Sequence, residues 1–197
     1  MSSVAFYKLL NSVVVPRPIA WVSSVSGDGV DNLAPHSFFT VACVDPPVVQ
    51  FTSVGDKDTL ANVQHSREFV VSLAPESLFE QVNATGTNFP HDVSEFDAVG
   101  LEREPSLRVG APRVAASPVA LECVLHATVG LGNSTVVFGR VVHVAVSEDV
   151  LDGDHPAIER LQPLSRLGRN EWGTRGQVRA TNRIPYAEWP GHYDPPR

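Results

Sequence analysis

Lys57 occupies a position where the sequence could bind an anion. Residues 51–62 read FTSVGDKDTLAN, which predicts an apolar strand, a Gly-Asp-Lys-Asp turn and a helix with Asp58 or Thr59 as its N-cap. The first-turn amides of a helix have no intrahelical acceptor and lie at the positive end of its dipole, so they attract anions. Lys57 and the hydroxyls of Thr52, Ser53 and Thr59 would add donors for a phosphate group.

Taken alone, these residues favour a simpler interpretation, a capped helix with a solvated lysine, because helix caps are commoner than phosphate sites. The anion site therefore needs support from the rest of the chain.

A second stretch, residues 16–42, reads PRPIAWVSSVSGDGVDNLAPHSFFTVA. The β-branched and aromatic residues 19–25, followed by Ser-Gly-Asp-Gly, predict a β-hairpin. Pro35 cannot donate to a strand ladder, so a bulge or interruption is expected near it, with backbone amides exposed around Ser37.

The chain has 197 residues, of which 43% are hydrophobic and 19% charged, as expected for one globular domain. We predict a core over about residues 12–170 and a C-terminal extension over 171–197. The net charge of −7 argues against nucleic-acid and anionic-membrane partners, so any anion site must be local. The absence of a secretory signal pattern and of a membrane-length apolar stretch predicts a cytoplasmic location.

Metal and nucleophile chemistry receive little support. The seven histidines form no metal-ligand spacing, and no dinucleotide fingerprint, P-loop or GxSxG motif is present. No metal is expected. Cys43 and Cys123 lack a CxxC spacing and lie in apolar stretches, so both are predicted to be buried free thiols.

The remaining chain predicts a scaffold of antiparallel strands with short helices. Hydrophobic periodicity, prolines and glycines predict a short helix or lead-in at 1–15 and helices at 59–66, 75–84, 93–99 and 157–161. They also predict strands at 48–54, 68–73, 119–129 and 136–146 and a loop at 102–118. Two hairpins among them indicate an α+β fold whose sheet can close into a barrel.

These motifs, in order, resemble a known family. PRPIAWVSSV, DNLAPHSFFTVACVDPPVV, FTSVGDKDTLAN, EFVVSL, SPVALEC and STVVFGRVVHV are similar to the flavin reductase-like, FMN-binding split-barrel proteins, flavoredoxin among them, over residues 16–168. The resemblance implies a mainly β, six-stranded antiparallel Greek-key split barrel with flanking short helices. It also implies a homodimer with one FMN per subunit near the interface.

The resemblance assigns most of the proposed site. It implies isoalloxazine and ribityl contacts from Asn32, Ser37, Phe38 and Phe39, ribityl or phosphate contacts from Thr52 and Ser53, and a phosphate end at Lys57, Asp58 and Thr59. In this context phosphate binding becomes the favoured role for Lys57.

Other assignments stay open. Arg17, in the Pro-Arg-Pro motif, would contact the flavin or form a surface salt bridge. His36 is the one titratable side chain beside the proposed flavin face, although a packing role is commoner, and no catalytic residue is assigned. Arg166 and Asn170 fall where relatives carry an LGG-and-aromatic segment, but this chain reads LGRNEW, and residues 177–197 match no pattern we recognise.

The function implied is an oxidoreductase in which a hydride passes from NAD(P)H to flavin N5. The reduced flavin would then supply electrons to an acceptor, with a monooxygenase component as one candidate partner. The alternatives are a flavoredoxin-like electron carrier with tightly held FMN and a non-catalytic split-barrel module that binds a ligand or a protein.

Overall fold

The computed structural model describes residues 2–189. It contains five α-helices: α1 Ser3–Val13, α2 Asp58–Ser66, α3 Phe79–Ala84, α4 Glu95–Ala98 and α5 Ile158–Leu161. Three 3-10 helices cover Glu76–Leu78, Glu148–Val150 and Tyr186–Glu188. The strands are β1 Arg17–Pro18, β2 Ala20–Val25, β3 Asp31–His36, β4 Phe39–Cys43, β5 Val48–Val54, β6 Glu68–Leu73, β7 Arg103–Glu104, β8 Arg113–Val114, β9 Val119–Leu131, β10 Ser134–Val146, β11 Leu151–Asp152, β12 His155–Pro156, β13 Ser165–Arg166 and β14 Trp172–Gly173.

Seven strands form the main sheet, in the order β3-β2-β6-β9-β10-β5-β4, and all neighbours pair antiparallel. The mainly β class with flanking short helices is confirmed, with seven main strands where six were expected. The long hairpin β9–β10 extends two residues further on each side than predicted, leaving only Gly132 and Asn133 between the strands. Gly132 has φ +61, a conformation that glycine adopts without strain.

One face of the sheet buries its apolar side chains against α2. This cluster includes Phe51, Phe69 and Val137, all fully buried. Gly139 of β10 lies under the Phe69 ring: a Cβ at this position would come 2.2 Å from Phe69 Cζ. A second cluster packs Trp21 and Leu33 against Val82 and Phe96 of the short helices. The cavity described below opens beside this second cluster.

The bulge expected at Pro35 is absent. Strand β3 stays in continuous register with β2 through Pro35, which lies opposite Trp21, and through His36, opposite Ala20. Because β3 is an edge strand, a proline there costs no ladder hydrogen bond. The chain instead bends at Ser37 and Phe38, between β3 and β4.

One cysteine prediction was wrong. Cys123 is buried, but Cys43 is exposed. It lies at the end of β4, the other edge strand of the main sheet, where Val41 and Val44 are also 67% and 86% exposed. Apolar neighbours indicated a strand here, but the pattern did not reveal that this edge of the sheet is uncovered.

Across residues 2–189, no helix has the length and apolar character needed to cross a bilayer. The same residues hold no group of three or more His, Cys, Asp or Glu side chains arranged to bind a metal ion. The last part of the C-terminal extension, residues 190–197, lies outside the described residues.

Candidate functional site

A cavity of about 1260 Å³ lies beside α2 and the end of β3. One side, which we call the helix-start wall, consists of residues 52–59 and 85–91. A second side, the hairpin wall, consists of residues 165–173 and contributes Arg166 and Arg169. Strand β3 and the N-terminal helix α1 complete the lining. Typical small-molecule pockets measure roughly 300–1,000 Å³, and this cavity exceeds that range.

The helix-start wall follows from local sequence. Gly55 has φ +71, a left-handed conformation that turns the chain out of β5 toward α2. Helix α2 begins at Asp58, with Lys57 as N-cap and no side-chain capping bond, so the predicted caps Asp58 and Thr59 were wrong by one or two positions. The amide of Ala61 donates to Lys57 O (3.1 Å), whereas the amides of residues 58–60 precede the first intrahelical bond.

The charged side chains of this wall contact the segment after α3. Lys57 Nζ donates to Asn88 Oδ1 at 3.0 Å, and the side chain of Lys57 is exposed. The Asp58 carboxylate contacts His91 Nδ1. Lys57 therefore has no carboxylate partner among residues 2–189, while the negative charge of Asp58 faces a histidine.

Asn32, Thr59 and Glu95 form a buried polar network at the cavity lining. Thr59 Oγ1 donates to Asn32 Oδ1 at 2.7 Å, and Asn32 Nδ2 donates to Glu95 Oε1 at 2.9 Å. Glu95 Oε2 accepts from the amide of Leu33 at 2.8 Å. Burial raises the pKa of the Glu95 carboxyl, and the Leu33 amide opposes this shift. The network fixes which way the Asn32 amide faces.

His36 lies on the cavity lining with its ring tilted against Phe51, 4.6 Å between centroids. Its Nε2 atom is buried and has no hydrogen-bond partner among the described residues. Burial lowers the pKa of His36 to about 4, with the Thr52 backbone acting in the opposite direction and Lys57 lowering the pKa further. His36 is therefore neutral at physiological pH and presents an uncharged surface to a ligand.

Arg17 also lines the cavity, but its side chain is engaged with backbone. Its guanidinium donates to Asn11 O, to Val14 O at 3.0 Å and to Leu167 O at 2.8 Å. The first two carbonyls lie near the C-terminal end of α1, where a positive charge is favourable. Arg17 makes no salt bridge within residues 2–189, so that alternative is not supported. A contact to flavin stays a prediction.

Most of the predicted site residues line this one cavity: Arg17, Asn32, Ser37, Phe38, Thr52, Lys57, Asp58 and Thr59. Two do not. Phe39 packs against the main core cluster, and Ser53 is fully buried with its hydroxyl 3.5 Å from Gly55 O. Of the two residues noted in the variable segment, Arg166 lines the cavity and Asn170 does not.

Sequence reasoning missed two groups of lining residues. The segment 85–91 follows the helix predicted at 75–84 and was assigned no role, although its Thr-Gly-Thr-Asn sequence is rich in small polar residues. Its position depends on a distant contact, because Trp21 Nε1 donates to Thr85 Oγ1 at 2.9 Å. Lys8 and Ser12 of α1 were also missed, since an N-terminal helix carries no local sign of what it packs beside.

A seven-stranded antiparallel sheet with flanking short helices, and a cavity at the start of α2, place this chain among the mainly β proteins. Within that class, the fold is that of the split-barrel flavin reductases. The model of the flavin reductase like domain matches residues 12–164, and the chain therefore belongs to this family.

The chain is also similar to individual proteins over most of its length. An uncharacterized protein of Aquifex aeolicus is 41% identical over 82% of this chain and 86% of its own length. Nitrilotriacetate monooxygenase component B from Bacillus cereus superposes with a TM-score of 0.88 at 30% identity, covering 92% of this chain and 95% of that chain. The 2-nitrobenzoate 2-nitroreductase of Pseudomonas fluorescens gives a TM-score of 0.85 at 30% identity, covering 95% and 96%.

Proposed function

We propose that this protein is an FMN-binding oxidoreductase that takes its hydride from NAD(P)H. The observation that carries the proposal is the helix-start wall, where Lys57, Asp58 and Thr59 line a cavity at the start of a helix in a chain of net charge −7. Membership of the flavin reductase-like family supports a flavin as the ligand.

The residues present fit FMN. The amides at the start of α2, with Lys57 beside them, would hold the phosphate. Thr52 and the Ser37–Phe38 bend would lie along the remaining length of the cofactor, and the buried, unpartnered Nε2 of His36 adds a polar atom close to the same surface. Asp58 does not oppose this assignment, because its carboxylate contacts His91.

The protein would act mainly by holding and orienting the cofactor and the hydride donor. When bound, FMN would supply the redox chemistry, accepting a hydride and passing electrons onward. Asn32, fixed between Thr59 and Glu95, would offer its amide in one orientation. His36 carries no charge at neutral pH and so would not act as a general acid, which agrees with the absence of an assigned catalytic residue. The size of the cavity would admit the nicotinamide donor beside the flavin.

We also propose a homodimer. The apolar side chains of α1 are unusually exposed, from 49% at Leu9 to 63% at Val13. Exposed apolar patches of this kind mark interaction surfaces. A second copy of the chain would cover this helix, which borders the cavity. Light scattering that gives a mass of 21.3 kDa at assay concentration would contradict the dimer.

The acceptor of the electrons is proposed to be a monooxygenase component. The support is the similarity to a protein described as nitrilotriacetate monooxygenase component B. A nitroaromatic substrate is an outcome to be checked in the same assay, because the chain is equally similar in sequence to a nitroreductase.

Two measurements test the proposed function. The purified protein supplied with FMN should show bound-flavin absorbance, and anaerobic NADH or NADPH should bleach it. A protein that binds FMN but needs another reductase would be an electron carrier instead. A protein that binds no FMN would refute the proposal.

Lys57→Ala tests the phosphate end. We expect the Kd for FMN to rise about ten-fold or more, because a charge-assisted phosphate contact contributes roughly 1.5–3 kcal/mol. Arg108→Ala removes one exposed positive charge outside the cavity and serves as the matched control. Equal FMN affinity in the two folded variants would remove Lys57 from the site. Thr59 is unsuited to this test, because its hydroxyl stabilises Asn32 inside the fold.

A further inference from the structure

The hairpin wall carries a second group of positive charges that the phosphate end does not use. Arg166 and Arg169 of the hairpin and Lys8 of α1 line the cavity. Within residues 2–189 none of the three forms a salt bridge, whereas Arg103, for example, contacts the carboxylates of Asp31 and Asp97. Together the three cations give this wall of the cavity a positive charge that is available to a bound anion.

The hairpin is built to hold these arginines in place. The Arg166 guanidinium lies over the Trp172 ring, 4.7 Å from its centroid, and the Trp172 ring meets Phe79 edge-on at 5.2 Å. Arg166 Nη2 donates to Arg169 O at 3.1 Å. Two backbone bonds, Leu167 N to Glu171 O and Glu171 N to Gly168 O, close the loop. Arg166 is therefore oriented before any ligand arrives.

Arg169 has φ +51, a left-handed conformation that is uncommon for a residue other than glycine. Such backbone conformations occur often at ligand sites, where the surrounding structure maintains them. Arg169 is exposed and reaches the cavity lining from this turn.

Arg17 adds positive charge behind the hairpin. It is buried and donates to Leu167 O, which places its guanidinium next to the loop. Burial, and secondarily Arg166, lowers the pKa of Arg17. The hairpin wall thus concentrates positive charge, and although Glu171 lies on the same loop, neither Arg166 nor Arg169 forms a salt bridge within residues 2–189. A bound anion would pair with these guanidinium groups.

We propose that the hairpin wall binds the pyrophosphate group of a nicotinamide dinucleotide. This inference rests on the proposed function and extends it, because it assigns one anion to each wall: the FMN phosphate to the helix-start wall and the pyrophosphate of the donor to Arg166 and Arg169. Guanidinium groups match phosphate oxygens in a bidentate geometry, and an arginine already stacked on an aromatic ring loses little freedom on binding. Both molecules would share the cavity of about 1260 Å³.

The test uses a double variant, Arg166→Gln with Arg169→Asn. Glutamine keeps most of the side-chain length over Trp172, and asparagine tolerates the left-handed backbone at position 169. The control is Arg108→Ala with Arg140→Ala, which removes two exposed positive charges outside the cavity. If the double variant does not fold, Arg169→Asn alone replaces it, because only the Arg169 carbonyl makes a hydrogen bond in the described structure.

The first readout is equilibrium binding of ADP-ribose, which carries the pyrophosphate without the nicotinamide. Calorimetry on protein with and without added FMN should show about ten-fold or greater loss of ADP-ribose affinity in the double variant. The FMN affinity should stay within about two-fold of wild type, and the control should match wild type in both. Unchanged ADP-ribose affinity would overturn the inference, whereas lost FMN affinity would assign the hairpin to the FMN phosphate and overturn it equally.

The second readout compares two hydride donors. The KM for NADH should rise in the double variant while kcat changes little, and the rate with 1-benzyl-1,4-dihydronicotinamide, which has no phosphate, should be unchanged. Equal losses with both donors would contradict a pyrophosphate site. Wild-type protein that takes up no FMN refutes the proposed function instead, and the ADP-ribose measurement then still decides the role of the hairpin.

Discussion

The two walls of the cavity present positive charge by different means. The helix-start wall is held from behind by buried hydrogen bonds that join Thr59, Asn32 and Glu95. The hairpin wall is held by stacking of Arg166 on Trp172 and of Trp172 on Phe79. Buried polar networks fail sharply when one member is lost, whereas packed aromatic contacts weaken by degrees. The comparison therefore predicts that the walls respond differently to single substitutions.

The largest effect is expected at the helix-start wall. Glu95→Ala leaves the Asn32 amide and the Leu33 N–H buried without acceptors, and each unsatisfied group costs roughly 1–3 kcal/mol, so the free energy of unfolding should fall by about 3 kcal/mol. Chemical denaturation measures this. Glu80→Ala, at an exposed carboxylate, should change little. A Glu95→Ala protein as stable as the Glu80→Ala control would show that the network does not hold this wall.

A smaller effect is expected at the hairpin wall. Trp172→Ala removes a half-buried aromatic ring from Phe79 and Arg166, and we expect a loss of about 2 kcal/mol in the free energy of unfolding. Hydrogen exchange can separate the walls: the Leu167 amide should exchange faster in Trp172→Ala, while the Leu33 amide should not. The reverse is expected for Glu95→Ala. Equal acceleration of both amides in either variant would mean that the walls form one cooperative unit.

The smallest effect concerns His36, close to the helix-start wall. Its folded-state pKa of about 4 lies below the unfolded value near 6.5, so protons bind the unfolded chain preferentially as the pH falls between those values. The stability contributed by neutral His36 is thus lost as the pH falls, by about 1 kcal/mol between pH 7 and 5.5. His36→Gln should flatten the pH dependence of the unfolding free energy by that amount. Parallel curves for the two proteins would show that His36 is not the titrating group.

Features that depend on local sequence were the ones that could be predicted. The 52–59 part of the helix-start wall is encoded in one stretch, so the strand, the Gly55 turn and the helix after Lys57 were all predicted, with an error of one or two residues at the cap. The two hairpins and the buried strand Glu68–Leu73 were also confirmed, because alternating apolar residues and turn glycines are local signals.

The predictions that were wrong or incomplete concern features that depend on contacts between residues far apart in the sequence. Pro35 is compatible with either a bulge or an edge strand, and nothing near it decides between the two. Nothing near Cys43 shows that its edge of the sheet is uncovered. Glu95 was read as part of a short helix, yet its carboxylate contacts residues more than sixty positions earlier in the chain. The hairpin wall was noticed only because its sequence departs from the family pattern.

Gly139 shows how a scan of all substitutions could mislead a search for the residues of this candidate site. Because a Cβ at position 139 would overlap the Phe69 ring, every side chain there is expected to impair folding, although the position does not line the cavity. Lys57 and Arg169 are exposed, and their replacement should leave the protein abundant and folded. A selection for cellular abundance would therefore rank Gly139 as indispensable and these two residues as dispensable. A selection for growth that depends on the redox activity would make all three intolerant of change.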